Sequence, residues 1–109
     1  MKIVRTVVFE KSLKKLGASK ADIAKLEKEI AANPEAGDVI PGLRGARKIR
    51  FAMAGRGKRG GGRSIYVVIW KDETAYLLFA YDKKDQADIS ESQAKAIATV
   101  IKEIEDGED

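Results

Sequence analysis

The 109-residue chain predicts a single α+β domain over residues 1–109, in the order β-α-α-β-β-β-α with an antiparallel sheet packed by helices. Two observations carry that prediction. Apolar residues recur at helical spacing before residue 33 and after residue 90, whereas between residues 47 and 81 they alternate or run unbroken. Glycine and proline cluster at residues 33–46 and 55–62, which separates the elements.

Residues 3–9, Ile-Val-Arg-Thr-Val-Val-Phe, are β-branched and aromatic and predict the first strand. A short helix follows, with Leu13 and Leu16 inward and Gly17 as its stop. Ser19 opens a second helix with Asp22 at the capping-box spacing, and Ile23, Leu26 and Ile30 share one face. Asn33-Pro34 ends it, because the residue before proline is driven out of the helical region. Gly37, Pro41, Gly42 and Gly45 then turn the chain repeatedly. From Arg47 the period becomes two: Ile49, Phe51 and Met53 point one way, Lys48 and Arg50 the other. Gly55 to Gly62, with five glycines and three basic residues, reads as a mobile loop without apolar anchors. Residues 63–70 are apolar on both faces, as in a central strand, and Asp72-Glu73 turns into a further strand at 75–81. Ser90, with Gln93 at the capping position, opens the last helix, striped by Ala94, Ile97, Ile101 and Ile104. Glu103, Glu105 and Asp106 have the wrong sign for the negative helix pole, so the acidic tail from about 105 to 109 is expected to fray.

Charge is segregated along the chain. Residues 1–38 hold eight basic and six acidic groups, residues 39–71 nine and none, and residues 72–109 four and eleven. The net charge of +4 is thus +2, +9 and −7 in order. A concentrated positive centre interleaved with glycine suits a polyanion whose backbone comes close. The chain lacks cysteine, which excludes a disulfide framework and thiol catalysis, and lacks histidine, the commonest general base and metal nitrogen ligand. Asp82, Asp85 and Asp88 have no regular metal-ligand spacing and read as solvating a turn. No metal and no cofactor is expected. No apolar run approaches the roughly 20 residues of a membrane span and no secretion signal opens the chain, so a cytoplasmic protein without membrane contact is expected.

Short motifs say little. Gly55-Arg-Gly57-Lys-Arg-Gly60 matches G-x-G-x-x-G, but a strand rather than a helix follows it. Gly57-Lys-Arg-Gly60 matches the G-x-x-G of KH domains, which lies between helices. A P-loop needs Ser or Thr after the lysine, where Arg59 stands. The geometric constellation is stronger. Lys48 and Arg50 share a strand face, and Arg63 opens the neighbouring strand across the glycine loop, where an antiparallel pairing brings all three onto one solvent surface that holds an anion. Tyr81, at a strand end, is the aromatic residue placed to stack on a base.

Three strings together, Asn33-Pro34-x-x-Gly37-Asp38-Val39-Ile40, Gly45-x-Arg47-Lys48-Ile49-Arg50 and Gly55-x-Gly57-Lys58-Arg59-Gly60-Gly61-x-Arg63-x-Ile65-Tyr66, resemble the HigB branch of the RelE-like toxins. Tyr76-Leu77-Leu78 and Tyr81-x-Lys83 continue the likeness, which spans roughly residues 30–101. The resemblance implies a microbial-ribonuclease-type fold and the toxin of a toxin–antitoxin pair. It further implies metal-independent cleavage of mRNA in the ribosomal A site, by attack of a 2′-hydroxyl on the adjacent phosphate. On that pattern Lys48, Arg50, Arg63 and Lys84 fall on catalytic positions. The tyrosine that RelE carries near its final helix falls on Ser90, with Tyr81 as a nearby substitute. Arg44, Arg47, Arg56, Lys58, Arg59 and Lys83 are candidate contacts to RNA and ribosome. A cognate antitoxin, a helix-turn-helix DNA-binding protein, is the implied partner beside ribosome and mRNA.

The residues make such chemistry possible. Fixed cations stabilise the charge that builds on phosphoryl oxygens, and without histidine the proton transfer falls to a lysine, a tyrosine or a ribosomal group. The rival readings are a ParE-like toxin that binds a protein such as DNA gyrase, and a non-catalytic RNA- or ribosome-binding module.

Overall fold

The computed structural model describes residues 1–107. Its elements are β1 (Lys2–Arg5), α1 (Val7–Leu13), α2 (Lys20–Ala32), β2 (Asp38–Val39), β3 (Arg47–Phe51), β4 (Gly62–Ile69), a short 3-10 turn (Trp70–Asp72), β5 (Thr74–Asp82) and α3 (Glu91–Gly107). They form a mixed α+β domain with one five-stranded sheet in the order β1-β5-β4-β3-β2. β1 runs parallel to β5 and the other neighbours are antiparallel.

The apolar strand expected at the centre, β4, is there between β5 and β3, and helices cover both faces. Phe9, Ile23, Leu26 and Ile30 from α1 and α2 bury one face against Ile49, Phe51, Tyr66 and Leu77. Ile97 and Ile101 of α3 cover the other against Leu43, Ile65, Val67 and Leu78. Each face is thus closed by a helical layer, α1 with α2 on one and α3 on the other, the layered solution that a two-sided apolar sheet requires.

The first strand is shorter than its composition predicts. Thr6 caps α1 by accepting the Phe9 N–H at 3.2 Å and donates its hydroxyl to the Leu77 carbonyl at 2.8 Å, so the chain turns helical at Val7. Ser12 then covers the exposed edge of β5 by accepting the Ala80 N–H at 3.0 Å. The capping box of Ser19 and Asp22 forms as the spacing predicts. Within residues 37–46, read as turns alone, Asp38–Val39 adds a fifth strand by pairing with Lys48 and Arg47. The tail departs from expectation in the other direction. α3 continues through Gly107, and Arg44 holds Glu105 in an ion pair of 2.7 Å that offsets the unfavourable dipole. The last part of the expected fray, residues 108–109, lies outside the described residues.

A register shift in β5 decides which face its end presents. Ile65 pairs with Phe79 and Tyr66 with Leu77, leaving Leu78 as the extra residue of a bulge. Leu77 packs on the α1–α2 face, while Leu78 and Phe79 both pack toward α3. The bulge therefore reverses the alternation and turns Tyr81 to the α3 face, directly across from Arg63.

Candidate active site

Beyond the part of the sheet that α3 covers, the α3 face continues as a polar row. Arg50 of β3 lies opposite Arg63 of β4, which lies opposite Tyr81 of β5. Lys48 is two residues along from Arg50, opposite Ile65. The strand pairing thus brings Lys48, Arg50, Arg63 and Tyr81 onto one surface, as the alternating pattern anticipates for the three cations.

Their exposure differs from that expectation. Arg50 is exposed and has no carboxylate partner among the described residues, but Arg63 is only 6 % exposed. Its guanidinium donates to the carbonyls of Gly62 at 3.0 Å, Arg59 at 3.1 Å and Lys58 at 3.2 Å. Arg63 is therefore not a free solvent-face anchor. It hooks the end of the glycine loop to the sheet, and burial, followed by repulsion from Arg50, lowers its pKa. Tyr81 is only 4 % exposed, and its hydroxyl is buried without a hydrogen-bond partner among the described residues. The stacking role anticipated for it does not fit this placement: the bulge turns the ring inward, tilted against Phe79 with centroids 6.2 Å apart. Burial first, and then the nearby Asp88 carboxylate, raise the Tyr81 pKa, so the phenol stays protonated near neutral pH.

The acid-rich flanks return to neutralise much of the basic centre. Arg44 pairs with Glu105, Arg47 with Glu35, Lys48 with Asp88, Arg56 with Asp82 and Lys58 with Glu29. Arg47 lies on the opposite sheet face from Lys48 and Arg50, and donates to the Gly37 carbonyl at 2.8 Å. It secures the turn after α2, away from the row. Arg56 makes a two-pronged contact with Asp82, at 3.1 and 2.5 Å, that pins the glycine loop to the end of β5. Asp82 is 5 % exposed and also accepts the Lys84 N–H at 3.0 Å. These contacts, led by Arg56, hold its pKa below the usual aspartate range. Lys58 reaches α2 through Glu29 at 3.0 Å, and the Ala54 N–H reaches Asp22 at 3.2 Å. The loop, expected to be mobile for want of apolar anchors, is instead held by polar ones. Arg59, Lys83 and Lys84 remain exposed, without carboxylate partners among the described residues.

Two features were not anticipated. Gly62 is a packing glycine: a Cβ there would meet the Phe51 ring at 2.5 Å. Asp88, read as solvating a turn, instead meets the row, with its Oδ1 3.3 Å from Lys48 Nζ. No local pattern could have shown this, since the partners are 40 residues apart.

Comparison with known proteins agrees with this architecture. Isolated E. coli RelE toxin is 20% identical, with a TM-score of 0.57 over 91% of this chain and 97% of that one. A doubly substituted E. coli RelE in the free state is 19% identical, with a TM-score of 0.54 over 79% of this chain and 86% of that one. The RelBE2 toxin–antitoxin complex of Mycobacterium tuberculosis is 19% identical at a TM-score of 0.49, over 80% and 92% of the two chains. The sequence also matches the family model described as RelE toxin of RelE / RelB toxin-antitoxin system over residues 1–108. With that match along almost its whole length, the chain belongs to the RelE family of toxins from toxin–antitoxin systems.

Proposed function

We propose that this toxin is a ribosome-dependent mRNA endonuclease of the cytoplasm that needs no metal or cofactor. The observation that carries the reading is the row Arg50–Arg63–Tyr81 with Lys48 beside it, exposed at the Lys48 and Arg50 end. Arg50 meets the scissile phosphate, Lys48 adds a second donor, and Arg63 supplies a fixed positive field from beneath while holding the loop in place. Preorganised cations of this kind stabilise the oxyanion of an in-line displacement without reorganising in the transition state. Arg59, Lys83, Lys84 and Arg44 extend the positive surface toward flanking RNA and ribosome, binding backbone rather than base sequence. Tyr81 supports the row from below. With no histidine and a sealed phenol, the protein relies on the ribosome to position its substrate, since orientation supplies much of such a barrier.

The partner that keeps it inactive is an antitoxin, as the family description implies. In this reading it is a helix-turn-helix DNA-binding protein that covers the cationic row or α3. Electrostatic attraction speeds its association, and apolar contacts set its lifetime.

The test is a reconstituted translation reaction with mRNA ends mapped by primer extension, in parallel with the same RNA free of ribosomes. New ends only on translated RNA, unaffected by chelator once ribosome integrity is controlled, are the expected result. Equal cutting of free RNA refutes ribosome dependence. Growth arrest without cutting favours the protein-binding toxin, and ribosome binding without cutting or arrest favours the non-catalytic module.

A further inference from the structure

The cleavage reading leaves the proton acceptor unassigned, and all four side chains of the row are poor candidates. Arginines are always charged, and the Lys48 ammonium is a donor already engaged with a carboxylate. The Tyr81 hydroxyl is buried. Asp82 is nearly buried and engaged on both oxygens by Arg56. Asp88 differs on each count. Its side chain is 66 % exposed, and the hydrogen bonds it accepts among the described residues, from the Ile89 N–H at 2.8 Å and Lys48 Nζ at 3.3 Å, both fall on Oδ1.

Its segment is fixed by side chains rather than free. Gln86 donates to the Asp88 carbonyl and to Gln93 Oε1, both at 2.8 Å, while Gln93 completes a reciprocal cap with Ser90. These bonds tie the residues before α3 to its first turn and hold the carboxylate beside Lys48 and Tyr81. The other candidate is Asp38, across from Lys48 on the edge strand β2. It makes no ion pair among the described residues and lies on the far side of Lys48 from Arg63 and Tyr81.

We propose that Asp88 is the general base of the reaction, a catalytic residue that takes the proton from the attacking 2′-hydroxyl. This rests on the endonuclease reading. As the proton passes to Asp88, the 2′ oxygen bonds to phosphorus and the bond from phosphorus to the 5′ oxygen breaks. Water protonates the departing 5′ oxygen, and the hydroxide so formed is neutralised by the proton Asp88 releases. The products are a 2′,3′-cyclic phosphate and a 5′-hydroxyl end. The Ile89 N–H first, and then Lys48, hold the Asp88 pKa low, so the acceptor is ionised throughout the neutral range. Lys48 and Asp88 then divide one task, the ammonium facing phosphate and the carboxylate facing the hydroxyl.

The experiment compares wild type, Asp88→Asn, Asp88→Glu and Asp38→Asn for single-turnover cleavage of mRNA on saturating programmed ribosomes, with ribosome binding measured separately. Asparagine keeps an oxygen for the Ile89 N–H but cannot accept the proton. Asp88→Asn should lose about 10²–10⁴ in cleavage rate, the usual contribution of a general base, with the fold retained and no loss of ribosome affinity. Asp88→Glu should recover part of the rate, and Asp38→Asn should cut like wild type. Cleavage by Asp88→Asn within about threefold of wild type, or faster than it, overturns the proposal; this threshold lies well below a general base's contribution. A faster variant would identify Asp88 as an internal occupant of the phosphate position. A wild-type protein that cuts no ribosome-bound mRNA overturns the endonuclease reading itself.

Discussion

Replacing Arg63 by alanine should destabilise the protein, not merely inactivate it. The side chain is nearly buried and donates to three backbone carbonyls. A hydrogen bond from a charged donor is worth about 1.5–3 kcal/mol net, but the three terms do not add here. The Lys58 and Arg59 carbonyls belong to exposed residues and water can replace their partner, whereas Gly62 is buried. Loss of the guanidinium also relieves its desolvation and its repulsion with Arg50, the two causes of its lowered pKa. The balance is a loss of about 1–3 kcal/mol, close to the cost of one unsatisfied buried acceptor plus lost packing. For a domain of this size that is a fall in melting temperature of about 5–15 °C. Thermal unfolding by circular dichroism measures it, and amide exchange across residues 55–62 should quicken as the loop detaches. Arg63→Lys keeps the charge but not the planar fork, and should fall between the two. If Arg63→Ala melts within about 2 °C of wild type and loop exchange is unchanged, a shift below the scale of one such bond, the arginine does not hold the loop and its part in the row must be reconsidered.

Tyr66→Phe should cost about 1–3 kcal/mol in denaturant unfolding, because the buried hydroxyl accepts the Gly37 N–H at 2.9 Å and donates to the Pro34 carbonyl at 2.7 Å; an unchanged midpoint would contradict this. Asp82 has a lower pKa folded than unfolded, so its stabilisation is present above the unfolded value and is lost as pH falls through the folded one. Melting temperature should therefore decline below about pH 4, and Asp82→Asn should flatten that acid limb; parallel curves for the two proteins would refute the linkage. Neutralising Arg59, which has no carboxylate partner among the described residues, should weaken ribosome binding and reduce its salt dependence more than neutralising Lys58, which is already paired with Glu29. Equal effects in binding titrations at two salt concentrations would show that the ion pair opens on the ribosome.

Much of the framework was legible in the residues. The Ser19–Asp22 and Ser90–Gln93 caps, the Ile23-Leu26-Ile30 stripe and the alternation through Ile49 and Phe51 are interactions within a few positions, so local spacing encodes them. The common face of Lys48, Arg50 and Arg63 followed from period two and one antiparallel pairing. The strand end at Thr6 did not, because β-branched Val7 and Val8 mimic a strand and only a cap tied to Leu77 reveals the helix. Tyr81 was placed at the site, but its burial was hidden by a bulge that has no signature in the run Tyr-Leu-Leu-Phe-Ala-Tyr.

A cationic sheet face at one end of an α+β domain follows from charge segregation and strand period, which are local properties of the residues. Which of those charges find a carboxylate among the described residues depends instead on how the chain folds. Glu29, Asp82 and Asp88 lie 29, 26 and 40 residues from the lysines and arginine they meet. Chain folding alone makes them neighbours, because Coulomb attraction acts over a few ångströms of space and takes no account of separation along the chain.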